Sequence, residues 1–163
     1  TFFCVGDNVR KHPEIYDMVI HAGHTVGNHT LNHLSGWATE NITYFHNIRH
    51  CARMVNSGLF RPPYGKLKPS QVQFLQRHYR IIMWDVLSGD FDRDIRPEDC
   101  AQNVIQHAEA GSIVVFHDSI KAEANLRHAL PMVLEHFTRE GYTFQSLPKL
   151  APAVAERGLR VAV

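Results

Sequence analysis

Ser112-Ile113-Val114-Val115-Phe116-His117-Asp118 is an apolar run that stops abruptly on two polar side chains. Bounded by Gly111 and lacking polar alternation, Ser112 to Phe116 reads as a fully buried strand. On one side, Pro97 to Ala110 reads as a helix closed by Gly111. On the other, Leu126 to Glu140 reads as a helix stopped by Gly141, with Tyr142 to Gln145 as the last strand. Buried strands alternating with helices imply parallel pairing and crossover helices, hence an α/β barrel or an open α/β sheet. In a parallel barrel the active site lies at the C-terminal strand ends, which is where His117 and Asp118 fall.

The same alternation extends back to the first residue. Thr1-Phe2-Phe3-Cys4-Val5-Gly6 reads as a buried strand, and Asp7 to Ala22 as helix, with Pro13 restarting a turn and Gly23 as the stop. His24 to Gly27 is a very short strand. Thr39 to Asn56 is a helix presenting Ile42, Phe45, Ile48, Cys51, Ala52 and Val55. Leu59 to Arg61 is a brief strand, Pro69 to about Arg77 a helix, and Tyr79 to Trp84 a strand leading into a polar loop. Leu147 to Leu150 forms a final turn, and the remainder to Val163 shows no pattern. No repeat or linker interrupts the chain, so residues 1–163 read as a single domain.

The bulk numbers exclude several classes. With 163 residues, 44% apolar and 20% charged, the chain is globular and builds one core. A formal net charge of +1 gives no reason to expect nucleic acid or an anionic membrane as partner. No apolar stretch approaches the ~20 residues of a membrane span, and no signal peptide is visible. Cys4, Cys51 and Cys100 are odd in number and far apart, which suits three partly buried thiols better than a disulfide framework or metal site.

Four polar clusters follow predicted strand ends. His29 and His33, spaced i and i+4, fall on one face of a helical turn and can hold one divalent cation; two surface histidines would look the same in isolation. A catalytic set needs a third ligand, and Asp85, Asp90 and Asp118 are nominees without compelling spacing. Arg61 precedes two prolines on a rigid turn, either as a surface arginine or as partner of a catalytic carboxylate, and the Tyr64 N–H then faces a developing oxyanion. His117, as often structural as catalytic in such a place, becomes a general acid if Asp90 holds its ring. Trp84, Leu87 and Val115 fill core or wall a small pocket for a methyl group.

In that order the clusters resemble the polysaccharide deacetylases of carbohydrate esterase family 4, the NodB-homology domain. His29 to His33 matches H-[ST]-x-x-H, Arg61 to Gly65 matches R-x-P-Y-G, and Trp84 to Asp90 resembles W-x5-D. Val114 to Asp118 resembles the closing I-V-x-x-H-D motif, and Thr1 to Gly6 the family's second strand. The resemblance implies a distorted (β/α)7 barrel that removes acetyl groups from N-acetylated or O-acetylated carbohydrate such as peptidoglycan or chitin-like oligomers. It implies an Asp-His-His metal, most simply Zn2+, with Co2+ or Ni2+ fitting the same donors. By the same resemblance Tyr64 N–H stabilises the oxyanion with Trp84 and Val115 beside the substrate, His117 protonates the leaving amine with Asp90 as its partner, and Arg61 orients the base. A cell-envelope or secreted location goes with the family, and a cytoplasmic one is compatible with the chain.

One element of the family pattern is missing. The motif T-F-D-D-G-P, which supplies the base aspartate and the metal-ligand aspartate, belongs upstream of Thr1, along with the barrel's first strand. The expectation is therefore a NodB-homology domain that is N-terminally incomplete, whose third ligand is an aspartate preceding Thr1. Leu87-Ser88 and Phe91 stand where family members often carry Asp-Ser and Trp, which bears on substrate subclass. Two other readings compete: a cyclic-amide hydrolase resembling allantoinases, and a non-catalytic carbohydrate-binding relative. Oligomeric state is not legible.

Overall fold

Four short strands, β1 (Phe2–Cys4), β2 (Val26–Asn28), β3 (Leu59–Phe60) and β4 (Arg80–Ile81), lie side by side in chain order, all parallel. They belong to the first of two compact units into which a computed structural model, describing residues 1–152, divides the chain: Thr1–Met83 with the segment from Ser146, and Trp84–Gln145. Phe3 pairs with Gly27, where a Cβ would come within 2.4 Å of the Phe3 ring. Glycine at 27 is thus what lets β1 and β2 approach with an aromatic between them.

The helices of this unit are α1 (Gly6–Lys11), α2 (Pro13–His21), α3 (Asn41–Ala52) and α4 (Pro69–Leu75). Pro13 forces the break between the first two: it pushes His12 out of the helical region, to φ −134° and ψ 61°. In α3 the buried face is Tyr44, Ile48 and Cys51, with Val55 following. Ile42, expected on that face, is 74% exposed, because it sits about 200° around the helix from Tyr44. Tyr44, Ile48, Phe60 and Leu75 form one core cluster, and Val26, Cys51 and Val55 another.

In the second unit β5 (Val86–Leu87) pairs in parallel with β6 (Val114–Val115), and α5 (Pro97–Ile105) and α6 (Glu123–Arg139) pack beside them. Val86, Cys100, Ala101, Val104, Ala129, Val133 and Phe137 make its core. The α/β reading is borne out: every ladder is parallel, and helices separate most consecutive strands.

Three local expectations are corrected. Val86–Leu87, read as polar loop, is a strand. Tyr142 to Gln145 forms no strand, because its first residues cap α6. Tyr142 N–H donates to Phe137 O (2.9 Å) and Gly141 N–H to Thr138 O (3.1 Å), with Gly141 at φ 83° and the Tyr142 and Phe137 rings 5.1 Å apart, a Schellman ending. Leu147 to Leu150 is not a turn but a strap across the first unit. Thr25 donates its hydroxyl to Leu147 O (2.8 Å), Leu147 N–H donates to Thr1 Oγ1 (2.8 Å), and Gly58 N–H donates to Leu150 O (2.6 Å). Residues 153–163, read as patternless, lie outside the described residues. No helix among the described residues is long and apolar enough to cross a membrane.

Candidate active site

The chain leaves β2 at Asn28, which is fully buried and holds the following loop from beneath. Its Nδ2 donates to Ile48 O (3.0 Å), and its Oδ1 accepts from Thr30 N–H (2.9 Å). His29 and His33 follow, their ring centroids 4.9 Å apart. The pair does not ride on a helical turn, as the spacing suggests. Residues 29–40 contain no helix, and Thr30 and His33 adopt left-handed backbone at φ 67° and 60°. For a β-branched residue such as Thr30 that conformation is strained. It is held by the Thr30 hydroxyl accepting from Leu34 N–H (3.1 Å) and by Asn47 Oδ1 accepting from Leu31 N–H (2.7 Å).

Arg61 completes the arrangement through its backbone as much as its side chain. The His29 Nδ1 lies 2.7 Å from Arg61 O, and a carbonyl only accepts, so Nδ1 carries the hydrogen. That places the ring's lone pair on Nε2, the tautomer a metal needs, fixed by a backbone carbonyl as metal-ligating histidines usually are. The guanidinium donates to Ile82 O (3.3 Å) and Met83 O (3.2 Å) and lies over the Phe3 ring at 4.3 Å. Burial pushes its pKa down to about 10, which still leaves a cation at neutral pH.

After Pro62 and Pro63 comes Tyr64, also left-handed (φ 61°, ψ 7°), its ring 4.7 Å from that of His33. The turn closes through Gly65 N–H to Pro62 O (3.1 Å) and Lys66 N–H to Pro63 O (3.3 Å), without drawing on the Tyr64 N–H. The first unit thus brings His29, His33, Arg61 and Tyr64 together. A cavity of about 810 Å³ in the same unit, lined by Pro62, Leu67, Tyr79 and Leu150 among others, does not include His29 or His33.

In the second unit the structure joins Asp90 and His117. The Asp90 carboxylate, fully buried, accepts from His117 N–H and from the His117 ring Nδ1, both at 2.7 Å. Phe91 packs edge-on to the His117 ring at 5.1 Å. Gly89, at φ 81°, turns the chain into this position. Asn125 Nδ2 donates to Asp90 O (3.2 Å) and Asp92 O (2.9 Å), and Asn103 Nδ2 to Ser88 O (3.1 Å). Neither asparagine carried a sequence signal, because each acts on a loop more than ten residues away.

The other nominated residues are placed as follows. Asp85 is exposed and accepts from the Ser112 hydroxyl and Ile113 N–H, both at 2.6 Å; these bonds hold its carboxyl below the usual range and tie the start of β5 to that of β6. Asp118 is exposed after β6, Trp84 is half-buried, and Val115 is buried within the ladder. Among the described residues no group of three His, Cys, Asp or Glu side chains stands together as a metal set. The imidazole pair fits two positions of such a set by its spacing and by the His29 tautomer.

Four similarities to known proteins bear on this geometry. A family model described as polysaccharide deacetylase matches residues 1–79. A peptidoglycan-N-acetylglucosamine deacetylase of Bacillus cereus is 25% identical over 165 residues, covering 96% of this chain and 60% of its own length. Chitin deacetylase 2 of Saccharomyces cerevisiae is 29% identical over 140 residues, covering 77% of this chain and 45% of its own length. A solved peptidoglycan N-acetylglucosamine deacetylase superposes with a TM-score of 0.85 at 24% identity, over 90% of this chain and 72% of that one, which establishes a shared fold. The chain spans about 60% of the Bacillus relative's length.

Proposed function

We propose that the chain, whose residues 1–79 match the polysaccharide deacetylase model, hydrolyses acetyl groups from N-acetylated carbohydrate, peptidoglycan or chitin-like, in a metal-dependent reaction. The observation that carries the reading furthest is the His29 ring, its Nδ1–H spent on Arg61 O and its Nε2 lone pair directed by that bond, beside the His33 ring.

His29 and His33 would be two of the metal's ligands, and an aspartate is the third that the proposed set calls for. Two imidazoles and a carboxylate suit Zn2+, with Co2+ or Ni2+ as alternatives; the ion supplies Lewis-acid polarisation of the acetyl carbonyl and lowers the pKa of a bound water. The chain's own groups do the rest. Water adds to the acetyl carbon as the base, an aspartate by the resemblance, takes its proton, and the Tyr64 N–H donates to the oxyanion that develops. When the C–N bond breaks, the nitrogen takes a proton from the His117 ring and leaves as the free amine, with acetate as the other product. Asp90 holds the His117 Nδ1 side, so the proton is delivered from Nε2. Arg61 fixes the loop and the His29 tautomer, and in the proposed site it also orients the base. Trp84 and Val115 are assigned to the substrate's acetyl side.

The test is acetate release from N-acetylglucosamine oligomers and from peptidoglycan by the full-length protein, with and without chelator. Chelator-sensitive release supports the reading. Opening of a cyclic amide without acetate release would move the protein to the allantoinase-like class. Glycan binding without turnover would make it a non-catalytic relative.

A further inference from the structure

Trp37 is 61% exposed, a large apolar side chain held in solvent by a loop that is itself tied down. Gly36, just before it, is buried, and a Cβ there would meet Gln71 Oε1 at 2.7 Å and Lys66 O at 2.9 Å. Only glycine lets the backbone lie so close. Gln71, fully buried, donates from Nε2 to Gly36 O (2.9 Å) and Asn41 Oδ1 (3.2 Å), while its Oε1 accepts from Lys68 N–H (3.0 Å). On the other side of the indole, Lys68 Nζ donates to Thr39 O (2.8 Å), and the Thr39 hydroxyl to Ser35 O (2.6 Å).

The backbone is therefore fixed on both sides of Trp37, and the ring is left out of the core. Burying an indole is among the most favourable single events in folding, and these anchors forgo it. An exposed aromatic side chain on a fixed backbone can meet a ligand with no further ordering of its loop, which lowers the entropic cost of association. The ligand chemistry follows from the surface: a broad π face on a segment, Ser35 to Thr39, that contains no charged residue. Pyranose rings of β-linked sugars present flat faces of C–H groups that lie on such a ring. Trp37 is four residues beyond His33 in the same loop, and Tyr64, 62% exposed, stands beside the His33 ring.

We propose that Trp37 is a stacking platform for a sugar ring neighbouring the one that is deacetylated, so that it sets a preference for oligomers over monomers. This rests on the glycan-deacetylase reading above. The experiment is steady-state kinetics of the full-length protein on N-acetylglucosamine oligomers from dimer to hexamer, for wild type, Trp37→Ala and Trp37→Phe, with pentamer binding measured by calorimetry. Trp37→Ala should raise the pentamer KM about tenfold or more with kcat little changed, and Trp37→Phe should recover most of the loss because it keeps a π face. Melting temperatures should stay together, since the ring is outside the core. A pentamer KM in Trp37→Ala within about twofold of wild type overturns the proposal. If the wild type releases no acetate at all, the deacetylase reading falls and calorimetry decides this one. Pentamer affinity weakened by Trp37→Ala upholds the platform, and equal or absent affinity overturns it.

Discussion

The Asp90 carboxylate receives two hydrogens from a single residue, the backbone N–H and the ring Nδ1–H of His117, each at 2.7 Å. One fully buried anion therefore fixes both where the histidine starts and which way its ring faces. The two residues should fail differently when replaced. His117→Ala should keep its bound metal and lose turnover by about 10²–10⁴-fold, since only proton delivery is removed. Asp90→Asn must turn an amide N–H2 toward a donor. It should lose about 1–3 kcal/mol of stability, lower kcat about tenfold or more and shift the pH–rate profile. Metal analysis, thermal melts and pH profiles on both variants check this; a His117→Ala enzyme of near-normal kcat would mean that another group is the acid.

His29→Ala should release most of the metal and the activity together, because two remaining ligands hold an ion poorly. Elemental analysis of the dialysed full-length variant is the readout. Metal retained at wild-type stoichiometry sinks the ligand assignment.

Tyr44 lies fully buried in α3 with a hydroxyl that has no hydrogen-bond partner among the described residues. Burial without a partner also pushes its pKa upward. Tyr44→Phe removes an unsatisfied polar atom and keeps the ring, so stability should be unchanged or rise by about 1 kcal/mol in urea unfolding. A clear loss would mean that the hydroxyl is bonded in solution.

Burial raises the Cys51 thiol from 9.0 to about 11. The unfolded chain loses that proton first, so the contribution is whole below pH 9 and is lost as pH rises through about 11. At full extent it is worth about 2–3 kcal/mol. Wild type should accordingly lose stability faster than Cys51→Ala over pH 9–11, whatever the substitution costs at neutral pH. Parallel stability–pH curves for the two proteins would show that the thiol is not the group responsible.

The strand order and the principal helices were legible because they rest on apolar runs punctuated by Gly and Pro, as at Ser112 to Phe116 and at Pro13. The His29/His33 spacing flagged a pair of rings that do lie together, but for the wrong local reason. A four-residue separation is also met by a loop with two left-handed residues, a state that periodicity does not register. Val86–Leu87 is too short for any alternation to show. Tyr142 to Gln145 has strand-like composition, and what overrides it at Tyr142 is the capping of α6, with the Tyr142 ring against that of Phe137. Gln71, Asn103 and Asn125 were invisible for a third reason. Their value lies in carbonyls of distant loops, and side-chain type alone does not announce it.

The strap from Ser146 has a consequence for biosynthesis. It bonds Thr25 at sequence separations of 121 and 122 and Thr1 at 146, so the first unit is a discontinuous piece of chain with the whole of the second unit translated inside it. On a ribosome, Trp84–Gln145 emerges complete while the unit begun before it still lacks its closing segment. Order of synthesis and order of completion are therefore inverted: the part started first is finished last, and until Leu147 and Leu150 arrive its four-stranded sheet waits untied.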